Sequence, residues 1–334
     1  MIKFINFKYK IMIIDRKRVS LEFLKPVNEL ESQLAYLYNL IDYKQLCIRK
    51  KLNCVQNDLF YLKKNLFISL TPLQRLHLVR QSERPTTLDY ITHILDEWIE
   101  LHGDRGGSDD PALVGGIGKL DNFSVVFIGQ QRGKDTKDNV ARNFGMPSPG
   151  GYRKALRLMR HADQFNLPII TFIDTPGAWA GIEAERLGQG EAIAMNLREM
   201  FSFKVPIICT VIGEGGSGGA LGIGIGDSML MLEYAVYTVA TPEACAAILW
   251  KNSHKSLEAA EALKITSSDL KLLGIIDDIV NEPVGGSQAD PLLAASNLKQ
   301  KLIYHLKLLL RFSDDQRLKN RYNKFRQMGT FYEY

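Results

Sequence analysis

The sequence predicts an α/β protein with a helical arm ahead of it, and three observations carry that expectation. From Ala112 onward, apolar runs alternate with helix-period segments in the order strand-strand-helix, strand-helix, strand-helix, strand-strand-helix, strand. Such alternation favours parallel strand pairing. Before it, leucines recur at helical spacing with no strand signal between them. At 334 residues, with 46% hydrophobic and 24% charged side chains, the chain has enough core for one large domain and an appendage.

Taken in order, Met1–Ser20 mixes Ile, Phe, Lys and Arg without an uninterrupted apolar core or a small-residue cleavage site, so it does not read as a secretory signal. Residues 1–25 are set aside as an N-terminal extension. After Pro26, Leu30, Leu34, Leu37 and Ile41 mark one helix. Leu52, Val55, Leu59, Leu62 and Leu66 step by threes and fours along a second, and a turn is expected near Tyr43–Lys50. Thr71-Pro72 opens a third helix, a cap residue followed by proline at the first helical position. Residues 26–85 are therefore expected to form a helical hairpin arm for packing or assembly, and residues 86–334 the main domain.

Thr86 and Thr87 cap a helix expected to run through Leu101, with Leu88, Ile91, Leu95 and Trp98 on one face. Ala112–Lys119 and Phe123–Gly129 then form a hairpin about Asp121-Asn122. Gln130–Asn143 is polar, and Phe144–Gly151 is too rich in Pro and Gly to be regular. Tyr152–Phe165 is a helix and Pro168–Ile173 a buried strand ending in Asp174-Thr175-Pro176-Gly177-Ala178. Gly190–Phe203 is a helix. Met229–Glu233, Val236–Ala240 and Ile275–Val280 are strands, while Pro242–Lys251, Leu257–Leu263, Pro291–Leu310 and Asp314–Gln327 are helices.

Several function classes recede. The net charge of +5 is mild, and no Lys/Arg stripe interleaves with aromatics as nucleic-acid binding would require. A basic balance does suit CoA esters, phosphates or carboxylated ligands. Cys47, Cys54, Cys209 and Cys245 include no C-x-x-C pair and read as buried free thiols, so no structural zinc is expected on this chain. No apolar run reaches transmembrane length.

The chemistry is expected in Val205–Ala220, where an apolar strand meets five glycines between Gly213 and Gly219. Gly213, Gly215 and Gly218 match a dinucleotide fingerprint, while Gly215, Ser217 and Gly219 match a nucleophile elbow. The first wants a long helix after the glycines, but Gly222, Gly224 and Gly226 interrupt it. The second would take Asp227 and His254 as triad partners, yet His254 lies in the polar connector Lys251–Lys255. What remains is a strand-to-helix junction whose bare backbone N–H groups suit an oxyanion. Asp174–Ala178 is a second junction of that kind. Arg153, Lys154 and Arg157 read either as steering charges for anionic ligands or as a solvated helix face. His102 and His161 read as surface or structural, and Asp174 as a cap for its turn.

Three stretches, in this order and spacing, are distinctive: Asn143-Phe144-Gly145-Met146-Pro147 with Gly151-Tyr152-Arg153-Lys154-Ala155-Leu156-Arg157; Phe172–Ala178; and Gly213–Ala220. They resemble the carboxyltransferase alpha subunits of multi-subunit acetyl-CoA carboxylase. The resemblance runs from about Pro26 to the C-terminus and includes Arg84-Pro85, Thr87-Leu88-Asp89-Tyr90 and Gly103-Asp104-Arg105. Gly150 departs from it, because the family usually carries an acidic residue there.

The resemblance implies a crotonase-like fold, a superhelix of strand-strand-helix units. It implies carboxyl transfer from carboxybiotin, held on the biotin carboxyl carrier protein, to acetyl-CoA, giving malonyl-CoA for fatty acid synthesis. The implied partners are a beta subunit carrying the zinc, in an alpha2beta2 heterotetramer, together with biotin carboxylase. By the motif match, Gly218 and Gly219 supply a backbone oxyanion hole, and Gly215, Gly216, Pro176, Gly177 and Ala178 line the biotin side. No protein base is required if the freed biotin nitrogen takes the proton. The implied compartment is the plastid stroma or the bacterial cytoplasm, and the AT-biased composition leans toward the former. Two other readings stay open: a single-chain hydratase or hydrolase of a CoA thioester, and a non-catalytic scaffold.

Overall fold

The computed structural model describes residues 21–39 and 46–329. The extension before Leu21, the first part of the expected turn, Ile41 and the Cys47 side chain lie outside them. The chain divides at Lys63/Lys64 into two units, Met1–Lys63 and Lys64–Tyr334. The expected boundary at 85/86 is thus displaced: the third helix and the segment through Pro85 group with the second unit.

The first unit holds a short 3₁₀ turn, Glu22–Leu24, and then α1 (Lys25–Asn39) and most of α2 (Leu46–Ile68). Lys63 pairs with Glu31 at 2.7 Å, and Gln56 Nε2 donates to Tyr38 Oη at 2.5 Å. Later residues of α1 meet earlier residues of α2, so the two run antiparallel as a hairpin. Leu52 and Leu59 are buried and Val55 and Leu62 half-buried, as the spacing requires. Cys54 is exposed, contrary to the buried thiol expected there.

In the second unit, α3 (Pro72–Val79) starts with a full capping box, the Thr71 side chain and Gln74 satisfying each other's backbone N–H. α4 (Thr87–Ile94) is shorter than expected, because β1 (Glu97–Glu100) pairs antiparallel with β2 (Leu113–Leu120) as an edge strand. β2 and β3 (Phe123–Gln130) make the hairpin, with Asp121 in the left-handed region at its tip. α5 (Thr136–Ala141) falls in the polar segment, and α6 (Pro149–Gln164) begins three residues before the expected start. β4 (Ile169–Thr175), α7 (Ile182–Arg186), α8 (Gln189–Met200), β5 (Ile207–Gly216) and α9 (Ser217–Leu221) follow. Then come β6 (Ser228–Leu232), β7 (Val236–Thr238), α10 (Pro242–Trp250), α11 (Ser256–Ala262), α12 (Ser267–Leu272), β8 (Asp278–Val280), α13 (Pro291–Leu309) and α14 (Asp314–Arg326). α12 was not expected.

From β3 onward the strands among the described residues pair in parallel, in the order β3-β4-β5-β6-β8, with one isolated antiparallel bridge between Val236 and Thr266. β4, β5 and β6 are buried at every residue, which is why they read as unbroken apolar runs. Burying each of Ile169, Ile170 and Ile173 contributes about 1.5–3 kcal/mol. The Phe172 ring meets Phe127 and Tyr90 edge-on at 5.2 and 6.1 Å, fixing α4 against the sheet. The C-terminal helix is held by two buried arginines: Arg321 donates to the Met200, Phe203 and Val205 carbonyls and pairs with Asp227 at 2.7 Å, and Arg317 donates to the Lys204 and Leu309 carbonyls.

β5 positions the site. It pairs with β4 along its length, while on its other side β6 gives way to β7 at Glu214–Gly216. Between Val211 and Gly215 it advances four residues while β4 advances two, from Ile173 to Thr175. The extra residues form a bulge that aims the strand end at the second junction.

Candidate active site

The glycine stretch is not the open loop expected after the apolar run. Gly213, Gly215 and Gly216 belong to β5 and are buried, and the turn is compressed into Ser217. Each buried glycine admits something a side chain would displace. A Cβ on Gly213 would stand 2.2 Å from the Asp174 carboxylate, and one on Gly216 would stand 2.1 Å from the Pro176 carbonyl oxygen. One on Gly219 would lie 2.4 Å from Ala178 N and from the Gly177 carbonyl carbon. The two junctions singled out in the sequence therefore pack backbone against backbone. Gly215 packs under the Tyr237 ring, so Gly215 and Gly216 shape the junction, whereas Pro176, Gly177, Ala178 and Gly218 are half-buried at its surface.

Two positions differ from the rest. At Gly218 and Gly177 nothing lies within 4 Å of where a Cβ would be. The N–H groups of Gly218 and Gly219 lie in the first turn of α9, where no intrahelical acceptor exists, and Gly216 provides no side-chain cap. The Gly177 N–H is spent on Thr175 Oγ1 at 3.1 Å. Around the junction, then, sit free donors and open space.

Ser217 has φ 48°, the left-handed turn of an elbow, and is exposed. Among the described residues nothing hydrogen-bonds its hydroxyl. The acid and base that the elbow template would recruit are elsewhere employed: Asp227 is committed to Arg321, and His254 is exposed in the 3₁₀ turn Ser253–Lys255.

Charge lies behind the junction. Glu214 is buried and takes Arg80 through both oxygens at 2.9 and 2.6 Å, with Arg132 at 3.0 Å. Burial alone would raise its pKa, but Arg80 and Arg132 outweigh that and hold it below the usual carboxylate range. Asp174 accepts from the Glu214 N–H at 3.0 Å and lies 3.0 Å from Arg132 Nε, a close but poorly aligned ion pair. Burial pushes its pKa up even so. Asp174 therefore ties β4 to the bulge in β5 rather than capping its own turn.

Arg153, Lys154 and Arg157 of α6 are paired within the chain rather than forming a solvated face. Lys154 is buried against Asp109 and the Asp110 carbonyl, Arg153 holds Asp104, and Arg157 holds the His102 and Gly103 carbonyls. They fasten the loop that follows β1. His102 meets Asp109 at 3.0 Å, and His161 stacks on Phe165.

Sequence reasoning missed Gln130, Tyr152, Arg84 and Glu214. Gln130 and Tyr152 both donate to the Gly219 carbonyl, at 2.7 and 2.9 Å. Arg84 donates to the Ile212 carbonyl, next to Gly213, and pairs with Glu282 at 2.9 Å. For Arg84 the available signal was a charged residue placed just before Pro85 and a capped helix. For Gln130 it was a polar residue closing an apolar strand.

Comparison with known proteins agrees with this architecture. Residues 20–329 match the family described as acetyl co-enzyme A carboxylase carboxyltransferase-like. The acetyl-coenzyme A carboxylase carboxyl transferase subunit alpha of Gracilaria tenuistipitata var. liui is 70% identical over 318 residues, 95% of this chain and 97% of that protein. The subunit of the same name from Crocosphaera subtropica is 60% identical over 319 residues, 96% of each chain. In fold, the chain is similar to a Pseudomonas malonate decarboxylase hetero-tetramer solved with coenzyme A, at TM-score 0.55 and 21% identity, over 70% of this chain and 91% of that one. It is similar also to the transcarboxylase 12S core, at TM-score 0.52 and 21% identity, over 64% of this chain and 40% of that one. The fold is the crotonase-like one that the resemblance implied, and with most of its length matching the family and near-complete coverage of the relatives, this chain belongs to the acetyl-CoA carboxylase carboxyltransferase alpha-subunit family.

Proposed function

We propose that this chain provides the carboxyl-donor side of a carboxyltransferase that converts acetyl-CoA to malonyl-CoA, with the Gly218 and Gly219 N–H groups as its oxyanion hole. The observation that carries the reading is the interlock of two backbone junctions that leaves those N–H groups free beside open space. When bound, carboxybiotin on a carrier protein would supply the carboxyl group, and the Gly218 and Gly219 N–H groups would hold the negative charge that its loss leaves on the ureido oxygen. Two N–H donors held in place before the reaction lower that barrier, and losing one costs about 3–4 kcal/mol. Gly177 and Ala178 form the wall against which the donor rests, and the open side at Gly177 admits it. The packing of Gly219 on Ala178 keeps wall and donors at one spacing.

Zinc and acetyl-CoA are assigned to a beta partner of like fold, in an alpha2beta2 assembly, with biotin carboxylase recharging the carrier. Tyr36, Phe60 and Tyr61 are exposed on the hairpin arm and suit it to assembly. The relatives from Gracilaria and Crocosphaera support a plastid stroma or bacterial cytoplasm as the compartment. No helix among the described residues is long and apolar enough to cross a membrane.

The test is reconstitution. The chain alone is expected to give no malonyl-CoA, and the chain with a zinc-bearing beta subunit and carboxylated carrier to give it. Robust action of the chain alone on a CoA thioester would instead support a hydratase or hydrolase. Ser217→Ala separates the elbow chemistry: turnover of the complex is expected to stay within about twofold, whereas loss of a nucleophile costs on the order of 10³-fold or more.

A further inference from the structure

We infer that Gln130 is a positioning residue for the transfer site, its single buried amide setting the spacing between the two junctions. The inference rests on the oxyanion-hole reading above. Gln130 is the last residue of β3 and is fully buried. Its Nε2 donates to the Gly219 carbonyl at 2.7 Å while its Oε1 accepts from the Asp174 N–H at 3.0 Å. One planar group thus joins the end of β4, which leads into Pro176–Ala178, to the first turn of α9. The amide is held by its own two bonds and by full burial, and Thr87 Oγ1 anchors the residue's backbone by donating to the Gln130 carbonyl at 2.5 Å.

Tyr152 Oη supplies a second donor to the same Gly219 carbonyl at 2.9 Å, and burial raises the phenol pKa so that it keeps its proton. The Gly219 carbonyl is thereby taken out of the helix ladder: the Ile223 N–H goes to Ala220 at 3.4 Å instead. A carbonyl gripped by two side chains fixes the peptide plane that begins at the Gly219 Cα, and so anchors the Cα end of the neighbouring peptide that presents the Gly219 N–H. Neither side chain faces the open space at Gly218, so each acts through the backbone.

The test uses the alpha-beta complex with its carrier. In Gln130→Met, kcat for malonyl-CoA formation is expected to fall about ten- to a hundredfold, with KM for acetyl-CoA within about twofold and the assembly eluting unchanged, because a misplaced reacting group is costly even when binding survives. Tyr152→Phe keeps the ring and is expected to lose about three- to tenfold. The double variant should fall no more than about twofold below Gln130→Met, since both act through one carbonyl. Wild-type kcat in Gln130→Met, or losses that multiply in the double variant, overturns the inference. If Gln130→Met does not assemble, Tyr152→Phe decides, and an unchanged kcat there overturns it. Should Gly219→Ala also turn over at the wild-type rate, the oxyanion reading itself fails. If Gly219→Ala is inactive while Gln130→Met is normal, only the clamp does.

Discussion

Gly219→Ala is expected to lower malonyl-CoA formation by the reconstituted complex by about 10²–10³-fold, the usual cost of one oxyanion donor. The added methyl has nowhere to go: its carbon would stand 2.4 Å from Ala178 N, and backbone cannot step aside as a side-chain tip can. The strand-helix junction and the Pro176–Ala178 wall must separate, which carries the N–H group away from its target. Overpacking of this kind costs about 1–3 kcal/mol of stability, small enough for a large core to keep its fold and its partners. Gly218→Ala is the matched control. Its Cβ meets nothing within 4 Å, so melting temperature should not move. Turnover should still fall, because the methyl enters the space assigned to the donor. Full activity in Gly219→Ala would remove the hole from this position. Full activity in Gly218→Ala with an inactive Gly219→Ala would leave Gly219 a packing residue and place the donor elsewhere.

What the sequence discloses and what it hides differ by contact range. The hairpin at Asp121-Asn122 and the buried strands β4 and β5 are legible because local pattern decides them: alternation, apolar runs and a turn pair. Glu97–Glu100 misleads because Trp98 continues the helical spacing of Leu88, Ile91 and Leu95, while the deciding partner, β2, lies about twenty residues on. Its signal was in β2: a Cβ on Gly116 would meet the Ile99 carbonyl oxygen at 2.0 Å, and glycine inside a strand marks a close backbone approach. In the site, Gly218 and Gly219 and the Pro176–Ala178 segment are visible as motifs. What holds them is not. Gln130 reaches Gly219 across 89 residues, Arg132 reaches Glu214 across 82, and Arg84 reaches Glu282 across 198. No periodicity encodes such pairs. They follow only once β3, β4 and β5 lie side by side.

Arg84→Met is expected to destabilise the chain by about 3–5 kcal/mol, as removing one partner of a buried ion pair does. Both side chains are nearly sealed, at 3% and 0% exposure, so water cannot replace what is lost. The guanidinium makes two bonds to Glu282, both at 2.9 Å, and two to the Ile212 carbonyl, at 3.1 and 2.8 Å. Glu282 in turn accepts from the Tyr234 N–H and from Ser287. Burial alone would push the Glu282 carboxyl up, but Arg84 and these donors overcome that and keep it below its ordinary value, hence ionised at neutral pH. Methionine fills the space and leaves the anion stranded. Adding Glu282→Gln should recover part of the loss, because an amide is cheaper to bury than a charge. Chemical denaturation of the single and double variants measures both numbers. A loss under about 1 kcal/mol in Arg84→Met would mean the pair behaves like a surface one. A double variant less stable than the single would mean that Glu282 is held by Ser287 and Tyr234 rather than by Arg84. The pair also bears on the site, since Arg84 grips the carbonyl immediately before Gly213. Losing it frees the bulge that aims β5, so turnover should fall in Arg84→Met and stay low in the double variant, which still lacks the grip on Ile212, even as stability recovers.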